Sequence, residues 1–310
     1  MIREEGNMSS HKAKLHFGKK RKIDWFPYFM CMPAIILFFI FVIIPFFTGM
    51  YTSFFKWDGF SEMKWNGLNN YKYVFSDKVF WQAMKNTFVY AILVTVFKNM
   101  IAFILASLLI KKFIGRTIFR TGLYLPVTLS YIVIGVLWVW IFNPTFGLLN
   151  GFLRAVGLEN FIVGWLSDPK VALFSVVAVD VWKWVGYHMV LYISGLQAIS
   201  ADLYEAAEID GANGWKKLLH ITIPQLNSTI VVNILLSITG AFVSNYDIVY
   251  IMTGGGPFHS TEVSLTYIMT TAFKYTAVGK ANAMSILLFI MVFIFGFIQL
   301  KLMSKEENYN

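Results

Sequence analysis

The chain has 310 residues, of which 57% are hydrophobic, 18% aromatic and only 14% charged. Soluble domains carry about 25% charged residues, so this composition excludes an ordinary soluble protein and predicts a membrane protein. The net charge of +9 could suggest nucleic-acid binding, but basic residues in a membrane protein mark cytoplasmic loops, and we expect no nucleic-acid partner.

Six apolar segments, taken in chain order, are long enough to cross a bilayer, which requires about 20 mostly apolar residues in a helix. They are residues 26–47, 88–110, 122–142, 171–196, 226–252 and 283–303. These near-continuous apolar runs favour helices over the alternating strands of a β-barrel. The first run should remain as a membrane helix, because no cleavage site of a signal peptide follows it. The sequence therefore predicts an all-α, polytopic membrane protein, with a basic tail at 1–25, a six-helix domain at 26–303 and a second tail at 304–310.

Lysine and arginine residues are distributed unequally between the two sides of this predicted bundle. The two tails and the loops after the second and fourth segments hold 15 of them, whereas the opposite loops hold 9. Because cytoplasmic loops carry the excess of basic residues, both termini and the 198–223 loop are predicted to be cytoplasmic. The aromatic-rich loop at 51–87 is then predicted to lie outside, as a segment at the membrane interface.

A few charged side chains fall inside the predicted spans. Each costs about 2.5–3.5 kcal/mol at a helix centre, so these side chains should face protein or water. Asp180 and Lys183 lie three residues apart on one face of the fourth segment, which predicts either a mutual ion pair or a polar lining of a pathway. Lys98, in the second segment, is expected to face neighbouring helices.

Aromatic side chains surround Lys183 in the sequence, namely Trp182, Trp184 and Tyr187. Binding pockets combine aromatic walls with a few placed polar groups, and such rings could stack on the apolar face of a sugar. The same residue types are common at the lipid interface, so the pattern leaves both interpretations open.

Motifs for chemistry within the chain are missing from the sequence. The glycine-rich stretch 254–257 lacks the lysine and hydroxyl of a phosphate-binding loop, and it predicts a flexible turn. No His or Cys spacing suggests a metal site, and the single cysteine, Cys31, excludes a disulfide within the chain. We therefore expect no catalytic residues, no metal and no cofactor bound by this chain.

A polar, helix-forming island lies between the fourth and fifth apolar segments. It reads Glu-Ala-Ala-Glu-Ile-Asp-Gly-Ala over residues 205–212, and an Ile-x-Ile-Pro exit ends at Pro224. Glu and Ala are strong helix formers, which predicts a helix over 201–209. Gly211 should then end this helix and allow another backbone to approach closely. The plain alternative is an ordinary amphipathic helix in a loop.

This island resembles the EAA loop of bacterial ABC importer permeases, and residues 26–303 resemble the carbohydrate-type members of that family, which include the membrane subunits of maltose and glycerol-3-phosphate transporters. One departure is Ser228, where many relatives carry a second proline, and it affects only the start of the fifth helix. The other matching motifs are Trp57-Asp58-Gly59, Asn69 with Tyr71, Asn86-Thr87, Gly115-Arg116, Phe119-Arg120, Leu125-Pro126, Phe142-Asn143-Pro144, Gly147 to Asn150, Trp165-Leu166, Trp182-Lys183, Gly195 to Ile199 and Thr253 to Pro257.

The resemblance implies the six-helix, MetI-like fold of type I ABC importer permeases, in the inner or plasma membrane of a bacterial cell. It also implies the partners: a second homologous permease, two ATP-binding cassette subunits that bind the ATP, and an extracytoplasmic sugar-binding protein. Within this family the EAA loop forms a coupling helix held by the ATPase, which would assign coupling to Glu205, Ala206, Ala207, Asp210, Gly211 and Ala212. By likeness to the maltose relative, the substrate path would be lined by Trp182, Val185, Gly186 and Asn245.

Two other function classes remain open from the residues alone. An ion-coupled secondary transporter would show inverted repeats and midplane ion sites, whereas here no repeat is visible and Asp180 and Asp247 are the obvious intramembrane carboxylates. A membrane-embedded enzyme would need a cluster of catalytic side chains near one interface, and the sequence suggests none.

Overall fold

A computed structural model describes residues 25–111, 113–243 and 245–307. The chain divides into two units, residues 1–48 and 49–310. In the first unit, α1 (Phe26–Phe38) continues through a π-helical turn (Phe39–Ile43) into α2 (Ile44–Thr52), which ends in the second unit. The apolar side chains of α1 are exposed, as expected for a helix in lipid. Of the predicted basic tail 1–25, only Trp25 is among the described residues.

The second unit consists of one short β-hairpin and many helices. Strands β1 (Phe55–Lys56) and β2 (Lys64–Trp65) pair antiparallel. The helices are α3 (Asn69–Ser76), α4 (Lys78–Leu109), α5 (Arg116–Thr128), α6 (Tyr131–Ile141), α7 (Leu148–Ala155), α8 (Ala172–Ala198), α9 (Ala201–Ile209), α10 (Gly214–Lys217), α11 (Ile223–Gln225), α12 (Asn227–Val243), α13 (Asn245–Met252), α14 (Ser264–Met269) and α15 (Val278–Glu307).

Helices α4 and α8 pack along each other at the centre of this unit, with α12 against α4 and α5 against α8. Helix α4 begins at Lys78, ten residues before the predicted second span. The reason is local: the Asp77 side chain accepts hydrogen bonds from the backbone N–H groups of Val79 and Phe80, which caps the helix at that point.

The predicted all-α, polytopic fold is confirmed. Within the described parts of the chain, four helices are long and apolar enough to cross a membrane, and the number rises to six if each of two bent helix pairs counts as one span. One of the six predicted spans is, however, not a single straight helix. Segment 122–142 contains a bend of 103° between α5 and α6. In segment 226–252, α12 and α13 lie on either side of residue 244, which is outside the described residues.

The bend between α5 and α6 has a local cause at its corner. Leu129 adopts an extended backbone with φ −83° and ψ 145°, which ends α5. The Ser130 hydroxyl then accepts a hydrogen bond from the backbone N–H of Val133 and caps the start of α6. A hydropathy pattern does not register this corner, because the apolar run continues through it.

The predicted flexible turn at 254–257 is held in place by a neighbouring helix. The side-chain amide of Asn86, on α4, donates hydrogen bonds of 2.9–3.2 Å to three backbone carbonyls of the loop that follows the turn. These carbonyls belong to His259, Ser260 and Glu262. The glycine-rich segment is therefore anchored to α4.

Candidate functional site

The helix predicted over residues 201–209 is present with the expected boundaries, as α9, Ala201–Ile209. The Ser200 side chain caps its start by accepting from the backbone N–H of Asp202. At its end Gly211 takes up the left-handed conformation, with φ +75°. Glycine adopts this region without the steric cost that a Cβ imposes, so the predicted helix-ending role of Gly211 is confirmed.

Two contacts fasten α9 to the segment that leads back towards α12. The Lys217 ammonium lies 2.7 Å from a carboxylate oxygen of Glu208, and this hydrogen bond lowers the pKa of Glu208. The Tyr204 hydroxyl lies 2.9 Å from that of Thr222. The loop is thus a folded unit of short helices.

Most of the predicted coupling residues lie on the surface of this loop. Glu205, Ala206, Asp210 and Gly211 are exposed, whereas Ala207 and Ala212 are half-buried. The side chain of Ile209, between them, is 88% exposed. A Cβ added at Gly211 would meet no atom of this chain within 4 Å, so this face is open to a partner.

The predicted substrate-path residues are not gathered at one place. Trp182 and Val185 line a cavity of about 190 Å³ beside the α5–α6 corner, with Leu125, Pro126 and Leu129. Trp182 is the more accessible of the two, at 36% exposure. This cavity presents one aromatic ring and otherwise apolar side chains.

Gly186 and Asn245 lie in closely packed surroundings. A Cβ at Gly186 would lie 2.1 Å from the carbonyl oxygen of Leu123, so the space that Gly186 leaves is filled by the backbone of α5. Asn245 begins α13 with its side chain fully buried, at 0% exposure. Neither polar atom of its amide has a hydrogen-bond partner among the described residues. Such a group costs about 1–3 kcal/mol, which makes Asn245 a candidate for a function that requires it.

Trp138 is a residue that the sequence interpretation missed. Its ring meets that of Trp182 edge to face, with the centroids 5.4 Å apart, and its buried indole N–H also has no partner within the described chain. It lies on α6, which packs against α13, the helix that Asn245 begins. No sequence spacing could have indicated this, because the contact depends on the bend before α6.

The charged groups inside the bundle pair differently from the predicted ion pair. Asp180 lies 3.3 Å from the Lys98 ammonium, and both side chains are only 4% exposed. The Tyr131 hydroxyl donates to the other carboxylate oxygen of Asp180 at 3.0 Å and accepts from the indole N–H of Trp184 at 2.6 Å. Of the two alternatives for Asp180 and Lys183, the mutual ion pair is therefore wrong.

Lys183 instead binds the C-terminal end of α5. Its ammonium donates to the backbone carbonyls of Pro126, Val127 and Leu129. The last carbonyls of a helix have no partner within the helix and form its negative end, which favours a cation there. The ammonium also lies 4.9 Å from the ring centroid of Tyr131.

A second buried network joins α4, α8 and α12. His188 contacts Asn233 at 2.8 Å through Nδ1 and Ser237 at 3.3 Å through Nε2. Asn99 donates to the Ser237 hydroxyl and accepts from the Tyr192 hydroxyl, both at 2.9 Å. Each polar group finds a partner on another helix, so this network serves packing. No group of three or more His, Cys, Asp or Glu side chains in the described segments converges as metal ligands would.

Comparisons with known proteins agree with this architecture. Residues 98–304 match the family model described as "Binding-protein-dependent transport system inner membrane component". The chain is 39% identical to the "Probable ABC transporter permease protein YurN" of Bacillus subtilis, over 91% of this chain and 97% of that protein. It is 32% identical to the trehalose/maltose transport system permease protein MalF of Thermococcus litoralis, over 88% of this chain and 92% of the relative. Its fold matches a solved bacterial ABC transporter involved in the import of the acidic polysaccharide alginate, with a TM-score of 0.80, 24% identity and coverage of 91% and 96% of the two chains.

Proposed function

The chain belongs to the family of binding-protein-dependent transport system inner membrane components, and we propose that it forms one half of the translocation pathway of an ABC importer for a sugar. The other half would come from a second homologous permease. Two ATP-binding cassette subunits would supply the ATP hydrolysis, and an extracytoplasmic binding protein would deliver the substrate. Both termini would then lie in the cytoplasm of a bacterial cell, and the chain itself would perform no chemistry.

The proposal of a sugar substrate is supported by the relatives and by the character of the site. A relative of 32% identity is named for trehalose and maltose transport. Trp182 offers an accessible flat ring at the cavity beside the α5–α6 corner, which suits the apolar face of a pyranose. Uptake of a panel of labelled mono- and oligosaccharides by a strain that lacks this gene, with and without the gene restored, tests this substrate class.

One observation carries the coupling proposal: the loop at 198–223 exposes most of its Glu-Ala-Ala motif on the surface of the chain, while contacts within the loop hold it folded. Glu205, Asp210 and Gly211 are exposed, whereas Lys217 and Glu208 fasten the helix to the segment behind it. A rigid, exposed helix can transmit a movement of the ATPase to the membrane helices. We propose that ATP binding moves α9 and so opens the pathway alternately to the two sides.

The left-handed Gly211 allows a sharp test of this coupling. Asparagine tolerates the left-handed region better than other side chains, and no atom of this chain would obstruct it at that position. We expect Gly211→Asn to leave the permease folded but to weaken its association with the ATPase. Gly211→Asp should also weaken association with the ATPase, and it adds a negative charge and more backbone strain at this position.

The matched control is Gly151→Asp, on α7, where a Cβ also meets nothing within 4 Å and the backbone is helical. Co-purification of the ATPase subunits and ATP-dependent uptake are measured for each variant. Normal ATPase association and normal uptake in both Gly211 variants would refute the coupling role of this loop.

For the substrate path we propose Trp182 and Asn245 as ligand-contacting residues, with Val185 beside Trp182 in the cavity wall. Because Asn245 is fully buried in this structure, its contact with a ligand would require the pathway to open. Gly186 would act through close packing, since the α5 backbone occupies the space beside it. An amide can both donate to and accept from sugar hydroxyls, which gives the unpartnered amide of Asn245 a chemical purpose. Trp138 extends the aromatic wall behind Trp182.

A further inference from the structure

The β-hairpin that follows α2 carries two like charges directly opposite each other. In the register of the strands, Lys56 of β1 pairs with Lys64 of β2. Like charges at opposed positions destabilise a strand pair. No ion pair within the described residues involves either lysine. A hairpin of two-residue strands that keeps such a pair suggests an anionic group that binds between them.

A cavity of about 410 Å³ opens on this hairpin and adds a third cation. Besides Lys56 and Lys64, its walls include Lys280, Trp57 and Tyr275. The Lys280 ammonium lies 3.7 Å from the ring centroid of Tyr73, which fixes its position by a cation–π contact. The cavity also lies at the N-terminal end of the 30-residue helix α15, whose dipole adds partial positive charge there.

The walls of the cavity are firmly held. The backbone N–H of Gly279 donates to the carbonyl of Trp57 at 3.1 Å, and a Cβ at Gly279 would lie 2.0 Å from the carbonyl oxygen of Phe55. The Asn70 amide donates to the carbonyls of Ser53 and Phe55, each at 2.8 Å. The start of α15 therefore packs directly on the hairpin, and these contacts hold the walls of the cavity in place.

Two acidic side chains, Asp58 and Glu62, also line the cavity, so its formal net charge with the three lysines is +1. Asp58 is occupied by the hairpin turn, because its Oδ1 accepts from the backbone N–H groups of Phe60 and Ser61. These hydrogen bonds lower the pKa of Asp58 to about 2, so it remains ionised. Glu62 is exposed at the rim. The cavity thus combines three cations with a rim of mixed charge.

Large apolar side chains flank this charged cavity on the hairpin. Phe60 is 92% exposed and Trp65 is 70% exposed, and Met63 lies exposed between them. Aromatic residues and methionine are enriched in the cores of protein–protein interfaces, where charged rims set register and partner choice. An anionic lipid surface would be flat and uniformly negative, whereas this site is concave and its rim carries both signs.

We propose that this cavity seats an acidic side chain, an Asp or a Glu, of the extracytoplasmic binding protein, with Phe60 and Trp65 making the adjoining apolar contacts. The inference rests on the proposed function, which places this loop outside the cell and supplies the partner. To that function, the inference adds the surface on which the binding protein docks and the negative charge that the binding protein must carry there. The docked carboxylate would offset the repulsion between Lys56 and Lys64.

The test uses the complete transporter in nanodiscs of zwitterionic phosphatidylcholine. The probe is the purified binding protein that supports ATP-dependent uptake by this transporter. Lys64→Glu places opposite charges across the hairpin and so favours its folding, which separates loss of docking from loss of structure. We expect this variant to slow association at low salt by about tenfold or more, and to flatten the dependence of the association rate on ionic strength.

Lys72→Glu is the matched control, because Lys72 is exposed on α3 in the same loop and does not line the cavity. Its association rate should stay within about twofold of the parental rate. An Asp→Lys or Glu→Lys substitution on the binding protein that restores association with the Lys64→Glu transporter would identify the seated side chain and support the proposal.

Three outcomes would overturn the proposal, and they are distinguishable. If the parental transporter binds its partner and takes up substrate, and Lys64→Glu binds at the parental rate, only the docking inference fails. If Lys64→Glu weakens binding only in nanodiscs that contain anionic phosphatidylglycerol, the cavity takes a lipid headgroup instead. If no extracytoplasmic binding protein supports ATP-dependent uptake by the parental transporter, so that no probe exists, the proposed function fails together with the docking surface.

Discussion

The carboxylate of Asp180 pairs with Lys98 on the neighbouring helix, 3.3 Å away, and not with Lys183 one turn along its own helix. This arrangement links α4 and α8, the two helices with the most extensive contact in the structure. Lys183 is thereby left for the carbonyls at the end of α5. The two buried lysines thus serve two separate contacts: Lys98 links α4 to α8 through Asp180, and Lys183 binds the end of α5 at the bend.

The buried pair predicts a non-additive effect on stability. Removal of one partner leaves an uncompensated buried charge, which costs about 3–5 kcal/mol, whereas replacement of both by apolar residues can be nearly neutral. We expect Lys98→Met or Asp180→Leu alone to lower the unfolding temperature of the purified transporter strongly. The double variant should recover part of the loss. A double variant whose loss equals the sum of the two single losses would show that the contact contributes no coupling.

We expect replacement of Lys183 to change the geometry of the corner between α5 and α6. Without its ammonium, three carbonyls at the end of α5 lose hydrogen bonds to a charged donor, each contributing about 1.5–3 kcal/mol. Spin labels at the exposed positions Ile118 on α5 and Ile132 on α6, in a Cys31→Ser background, report the distance across the bend. We expect Lys183→Met to broaden or shift this distance distribution.

The control for this experiment is Lys85→Met, at an exposed lysine of α4 that is remote in sequence from the corner. Lys183→Arg keeps a cation and should preserve the distance better than Lys183→Met does. An unchanged distribution in Lys183→Met would mean that Leu129 and Ser130 alone maintain the bend.

The Lys98–Asp180 pair and the Lys183 contacts also show how much of the structure could be predicted from the sequence. Helix α9 was predictable to the residue, because helix-forming Glu and Ala residues and the terminating Gly211 act locally. The bend at Leu129 was not predictable, because part of its support comes from Lys183, more than fifty residues later. The Lys98–Asp180 pair was not predictable either. A charged residue in an apolar run indicates that a partner exists, but the packing of the helices determines which residue is that partner.

The same distinction applies to the candidate site. The exposed loop residues, such as Glu205 and Gly211, follow from a contiguous motif. Asn245 and Trp182 come from separate helices that adjoin α6, and their surroundings depend on the bend between α5 and α6. Trp138, whose indole N–H is unpartnered within the described chain, could be found only from the folded structure.

Topology can be tested at two lysines that are both exposed in the structure, Lys64 and Lys216. Equal exposure means that a difference in labelling reports the side of the membrane and not burial. In a Cys31→Ser background, a membrane-impermeant maleimide added to intact cells or spheroplasts should modify Lys64→Cys and spare Lys216→Cys. After permeabilisation both should react. The reverse pattern would place the 198–223 loop outside and remove the basis for ATPase docking there.

We expect replacement of Trp182 to impair transport, whereas replacement of an equally large aromatic residue outside the cavity should not. Trp182→Ala removes the accessible ring at the cavity beside the α5–α6 corner, so uptake should fall or the preferred sugar should change. Trp140→Ala is the matched control, since Trp140 lies exposed on α6 and does not line that cavity. ATPase association should persist in both variants. Equal uptake by both at the parental rate would assign Trp182 to helix packing.

Asn245 predicts opposite effects on stability and on transport. Its buried amide has no partner among the described residues, so Asn245→Leu, which keeps a similar volume, should leave the unfolding temperature unchanged or raise it. Sugar uptake should nevertheless fall, because the amide would no longer meet substrate hydroxyls. Asn233→Leu provides the contrast: Asn233 bonds to His188 at 2.8 Å, and its loss should lower the unfolding temperature. If Asn245→Leu destabilises the transporter as Asn233→Leu does and leaves substrate preference unchanged, Asn245 is a structural residue and the sugar path lies elsewhere.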